Sequence, residues 1–143
     1  MGTHANAQDE HLLRLLGISM VVNLTDNINS STFDGIELVQ FPTRDDEHQI
    51  MLEAWESTLD AVLRAFADGK KVLVHCQAGR SRSASAIIYC LIRAGGIALE
   101  EALAYTRRCR QAAEPNPGFM DQLRAVALSE KCHEAFTSVG RLR

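Results

Sequence analysis

The chain has no large excess of charge of either sign. Fifteen Lys and Arg against eighteen Asp and Glu leave a formal charge of -3 at pH 7, so there is no bulk positive charge to hold a nucleic acid and any basic site must be local. Long hydrophobic runs are missing too. No stretch approaches membrane-spanning length, and residues 1–11 hold nothing resembling a secretory signal. Cysteines are few: Cys76, Cys90, Cys109 and Cys132 are too widely spaced for a disulfide scaffold, and none falls in a Cys-x-x-Cys or His/Cys zinc pattern. With only three prolines and nine glycines, and neither repeats nor low-complexity segments, nothing marks a linker. These absences predict a single domain over residues 1–143 with reduced thiols, no metal and no cofactor. They predict a cytoplasmic protein, with the nucleus also open, that has neither a membrane nor a nucleic-acid partner. They leave the oligomeric state open.

What is present suits one compact core, since 46% of the 143 residues are hydrophobic and 23% charged. Residues 10–16 read as a short amphipathic helix closed by Gly17, and 18–24 (ISMVVNL) as a covered strand. A polar loop over 25–35 precedes a second strand marked by Ile36, Leu38 and Phe41 and ended by Pro42. From 50 to 67, Trp55, Leu59, Val62, Leu63 and Phe66 recur at helical spacing, which predicts that they face the core. Residues 71–75 (KVLVH) form another buried strand, and helices follow over 84–93 and 99–110. Asn116 then caps a last helix with Pro117 at its first position. Strands alternating with helices imply an α/β fold with a mainly parallel sheet.

Chemistry concentrates in His75-Cys76-Gln77-Ala78-Gly79-Arg80-Ser81-Arg82-Ser83. Between a strand and a helix, the backbone N–H groups of such a turn converge with the helix N-terminus into a seat for a tetrahedral anion. Gly79 lets the main chain approach that anion, and Arg82 in the first helical turn can grip two of its oxygens. Cys76 opens the loop, so its sulfur faces the same seat, where amide dipoles and the Arg82 charge favour thiolate over thiol. Ser83 can donate its hydroxyl to the sulfur. His75 is expected to orient the loop through hydrogen bonds. Arg80 stands at the rim, either adding charge or merely exposed. The remaining cysteines are expected to be inert core thiols, and His4, His11, His48 and His133 to be solvated surface residues.

His75-Cys76-x-Ala78-Gly79-x-Ser81-Arg82-Ser83 resembles the signature of the cysteine-dependent protein tyrosine phosphatases, specifically their dual-specificity branch. Leu16-Gly17-Ile18-Ser19-Met20-Val21-Val22-Asn23-Leu24 is similar to that branch's first recognisable strand, and residues 114–123 to its Pro-Asn-x-Gly-Phe-x-x-Gln-Leu segment. Together these stretches span residues 2–131. The resemblance implies a three-layer α/β fold of the phosphotyrosine protein phosphatase type, with four to five central strands flanked by helices. This branch has an extra strand ahead of the position of Gly2, so the sheet is expected to lack its first edge strand. The resemblance also implies a phosphocysteine mechanism on phosphoproteins, with a phosphate-binding loop of Gln77, Ala78, Gly79, Arg80, Ser81 and Arg82. A general acid is required on a separate loop, and the family's Pro-x-x-Asp pattern falls on Asp45, with Asp46 as the alternative. Rival readings are a phosphatase of phosphoinositide, RNA 5'-phosphate or phosphoglucan, a non-catalytic phosphate reader, and sulfur transfer on a rhodanese-like loop.

Overall fold

The computed structural model describes residues 1–27 and 30–140, with side chains through Lys131. Its elements are α1 (His4–Gln8), α2 (Glu10–Leu15), β1 (Ile18–Asn23), β2 (Glu37–Gln40), α3 (Leu52–Ala67), β3 (Lys71–His75), α4 (Arg82–Gly95), α5 (Leu99–Cys109) and α6 (Pro117–Gly140). The sheet has the order β2-β1-β3, and both pairings are parallel.

Side chains on β1 alternate between two cores, as the pleat of a strand requires. Met20 and Val22 join the large core with Trp55, Val74, Ile88, Tyr89, Phe119 and Leu123. Val21 faces the other way, into a small cluster with Ala7 and Leu13 that Leu38 and Leu73 flank. The result is three layers, with α1 and α2 on one face of the sheet and α3 to α6 on the other, as the α/β reading implied.

Only three strands form among the described residues, where four to five were expected. At the edge beside β3 the chain makes a single parallel bridge, Gly2 to His75, with the Gly2 amide donating to the Val74 carbonyl at 3.1 Å. It cannot continue as a strand because Thr3 and Asn6 form a reciprocal capping box that starts α1 at once. That helix was not expected from the sequence.

Two of the residues assigned to the core face of α3 lie outside it: Leu63 is 47% exposed and Phe66 61%. The buried face is instead Ala54, Trp55, Thr58, Ala61, Val62 and Ala65. Small residues along this stripe let α3 pack closely on its neighbours, so Leu63 and Phe66 fall on the outer edge of the helix.

Behind the site runs a buried polar relay. Trp55 stacks on Tyr89 with centroids 5.4 Å apart, and its Nε1–H donates to Ser85 Oγ at 3.0 Å. Ser85 Oγ–H donates in turn to the Arg82 carbonyl at 2.8 Å. This chain anchors the first turn of α4 to α3.

Candidate active site

In a parallel sheet every strand delivers its following loop to the same edge, which is where such folds bind ligands. The loops after β1, β2 and β3 meet there. The 76–81 loop joins β3 to α4, and Gly79 within it has φ +62°, a conformation that suits glycine. A Cβ at Gly79 would stand 2.6 Å from the Gly2 carbonyl oxygen and 3.0 Å from Arg110 Nη2, so the position is also too crowded for a side chain.

The loop's curvature is held from outside by partners for four successive carbonyls. The Gln77 carbonyl accepts from the His4 amide at 3.1 Å, and the Arg80 carbonyl from the Glu114 amide at 2.7 Å. The Ala78 carbonyl accepts from Arg110 Nη2 at 3.1 Å, and the Gly79 carbonyl from Arg110 Nε at 2.6 Å. With the carbonyls turned outward, the amides turn inward and make a concave nest of N–H donors.

Cys76 lies at the floor of this nest and is buried. Its Sγ is 3.2 Å from Ser83 Oγ. Burial pushes the thiol up and is the largest single influence. The Ser83 hydroxyl and the amides of Ser83, Arg80 and Gly79 together outweigh it and hold the Cys76 pKa below its ordinary value. Cys90 makes the contrast: half-buried on α4 where a core thiol was expected, with only its own amide against desolvation, its pKa is pushed up to about 12.

Arg82, the first residue of α4, is buried although charged. Its Nη1 donates to the Thr43 carbonyl at 2.7 Å and lies 3.8 Å from Asp26 Oδ1. Its Nε has no hydrogen-bond partner among the described residues. The Thr43 carbonyl and the nearby Asp26 charge thus hold one end of the guanidinium at Nη1, while the Nε edge is left for a ligand. His75 Nδ1 sits 3.2 Å from the Cys76 carbonyl, which fits donation from an Nδ1–H and orients the start of the loop. Burial holds its pKa below the ordinary histidine value, favouring the neutral ring.

The acidic loop after β2 brings two aspartates near. Asp46 is engaged in its own turn, its Oδ1 accepting from the His48 amide at 2.8 Å. Asp45 is exposed, and its Oδ1 accepts from Asn116 Nδ2 at 2.9 Å. Arg80 feels the Asp45 charge but is paired with Glu114, Nη2 to Oε2 at 2.6 Å, with both side chains about 60% exposed. Arg80 is thus an exposed, ion-paired residue beside the loop. Gln122 fastens the far end of the acidic loop to α6, its Nε2–H donating to the Gln49 carbonyl at 2.8 Å and its Oε1 accepting from the Met51 amide at 2.8 Å.

Sequence reasoning missed several supporting residues. Arg110, Thr43 and Gln122 act through the main chain, and His4 is a half-buried neighbour of His75, with ring centroids 5.9 Å apart, where a solvated residue was expected. Cys109, expected in the core, is exposed on α5. The side chains of Cys132 and His133 lie outside the described residues. Among the described residues no group of three or more His, Cys, Asp and Glu could hold a metal ion, and no helix is long and apolar enough to cross a membrane.

Residues 1–128 match the model of the dual specificity phosphatase catalytic domain. The chain is 33% identical over 123 residues to Protein phosphatase Slingshot of Drosophila melanogaster, covering 86% of this chain and 12% of that protein. It is also 33% identical over 123 residues to human dual specificity phosphatase 28, covering 86% of this chain and 70% of that one. It thus spans between about a tenth and a fifth of the length of the Slingshot proteins it matches. The crystal structure of human DUSP28 superimposes with a TM-score of 0.87 at 30% identity, covering 93% of each chain. A mouse putative dual specificity phosphatase complexed with zinc tungstate gives a TM-score of 0.86 at 32% identity, covering 93% of this chain and 84% of that one. With the signature loop, its inward amides and a family match over most of its length, the chain belongs to the dual specificity phosphatase catalytic-domain family.

Proposed function

We propose that this protein is a cysteine-dependent phosphatase that removes phosphate from phosphotyrosine and phosphoserine or phosphothreonine in protein substrates. The observation that carries the reading is the Cys76 sulfur, held below its ordinary pKa at the floor of a nest of amides. The Cys76 thiolate attacks phosphorus in line as the bond from phosphorus to the leaving oxygen breaks. Arg82 and the loop amides of residues 77–82 hold the three equatorial oxygens through the transition state. Asp45 gives its proton to the departing oxygen, and a phosphocysteine remains. The Asp45 carboxylate then takes a proton from a water that attacks phosphorus. The sulfur–phosphorus bond breaks, with the Ser83 hydroxyl stabilising the thiolate as it leaves.

Asp45 is favoured over Asp46 as the acid because Asp46 Oδ1 closes a local turn, whereas Asp45 is tied to the segment bordering the nucleophile loop. A tetrahedral oxyanion such as the tungstate carried by the mouse relative has the shape this loop is built to take. Such chemistry needs a reduced thiol, which favours a cytoplasmic or nuclear setting on this reading.

The test is hydrolysis of an aryl phosphate, then of phosphotyrosine and phosphothreonine peptides, with excess chelator present. Wild type is expected to turn over all three, Cys76→Ser to be inactive, and Asp45→Asn to lose about a hundredfold or more. Activity retained by Cys76→Ser would end the reading. If Asp46→Asn were the damaging change, the acid would be Asp46.

A further inference from the structure

The tripeptide Glu114-Pro115-Asn116 touches both halves of the site. The Glu114 amide and carboxylate hold Arg80, and the Asn116 amide N–H donates to Ser81 Oγ at 2.9 Å. Asn116 therefore has its main chain fixed to the nucleophile loop, while its side chain reaches Asp45 Oδ1. Its own orientation is not free. Asn116 Oδ1 accepts from the Phe119 amide at 2.9 Å, as the cap of α6. Rotating the amide by half a turn would set oxygen against the Asp45 carboxylate and NH2 against an N–H, losing both bonds. The helix cap thus decides that the NH2 group faces the acid. Gly118 allows the approach, since a Cβ there would collide with the Glu47 carbonyl of the acidic loop.

We propose that Asn116 is the positioning residue for the general acid, holding Asp45 in register with the nucleophile loop. The inference rests on the assignment of Asp45 made above. A hydrogen bond donated to Oδ1 favours the tautomer in which the acid proton sits on Oδ2, so Asn116 also selects which oxygen presents the proton to the leaving group. One side chain thus couples the start of α6 to the relative placement of acid and nucleophile.

The test uses leaving groups of different acidity, since an acidic phenol departs without help and a poor leaving group needs a proton. Asn116→Ser and Asn116→Asp both keep a good helix cap and lose the NH2 donor. Each is expected to lower kcat/KM for phenyl phosphate about tenfold or more, while an aryl phosphate with a strongly acidic phenol changes by less than about twofold. Asn116→Asp also sets a carboxylate beside Asp45 and is expected to move the alkaline limb of the pH profile upward. In an Asp45→Asn background, Asn116→Ser is expected to add no further loss.

Equal losses on the two substrates, or an additive loss in the double variant, would show a merely structural role and overturn the proposal. If Asp45→Asn discriminates between leaving groups and neither Asn116 variant does, only this proposal falls. If Asp45→Asn itself fails to discriminate, the assignment of the acid falls and the proposal with it. Asn116→Asp carries the same comparison if the serine variant does not fold.

Discussion

Nη1 of Arg82 donates to the Thr43 carbonyl at 2.7 Å, across 39 positions of sequence, and so the loop after β2 fixes the orientation of the cation beside the nucleophile. The guanidinium is buried, with its Nε left without a partner among the described residues. Arg82→Lys keeps the charge and loses the planar fork, so a single ammonium must either leave Thr43 or leave the substrate. The expected outcome is a fall in kcat of about a hundredfold or more, with the fold retained by circular dichroism. Near-normal kcat would show that charge alone suffices.

Ser83→Ala removes the largest of the influences that lower the Cys76 pKa. The sign follows directly: fewer hydrogen bonds to the thiolate raise the thiol pKa, and the acid limb of kcat/KM moves to higher pH. Alkylation of Cys76 by iodoacetate, followed against pH, reads the same shift independently of turnover. Slower release of the thiolate should also make phosphocysteine hydrolysis limiting, seen as a burst of the aryl product. An unmoved alkylation profile would contradict the role given to this hydroxyl.

Gly79→Ala adds a Cβ at φ +62° where the Gly2 carbonyl oxygen is 2.6 Å away. Positive φ and the collision together are expected to lower stability by about 2 kcal/mol or more, a fall of roughly 4–8 °C in Tm for a chain of this size. Activity should fall further than stability, because relief of the clash opens the amide nest. A variant that melts like wild type would mean that the first residues are not packed against the loop.

His75 is buried, and its pKa is lowered by that burial. The unfolded chain therefore takes up the proton first as pH falls. The stability associated with the neutral ring is complete above the ordinary histidine value of about 6.5 and is lost as pH falls through the lower folded value. Denaturant midpoints at pH 7.5 and 5.5 in a Cys76→Ser background, where the thiolate does not contribute, should differ, and His75→Asn should flatten the difference. Unchanged pH dependence in His75→Asn would assign it to other groups.

The parts of this molecule legible in the sequence are those set by local pattern. The β-branched runs became β1 and β3, and the signature between β3 and α4 became a single concave loop. Asn116 and Pro117 marked the start of α6 as caps do. What stayed hidden depends on the third dimension. No local rule says that Arg110, 31 positions from Gly79, holds its carbonyl, or that the NH2 of a helix cap reaches Asp45. The α3 face differs from its apolar periodicity for a related reason. Close helix packing favours the alanines over large residues and leaves Phe66 exposed. Among the described residues the bridge at Gly2 is not followed by a strand, because the capping box at Thr3 turns the chain into a helix at once.

Trp55 is the chain's sole tryptophan, and through Ser85 it is two hydrogen bonds from the main chain of Arg82. An indole ring wired so directly to the anion-gripping turn offers a built-in optical reporter. Occupancy of the loop by a phosphate mimic is expected to change the intrinsic fluorescence, with no label attached anywhere.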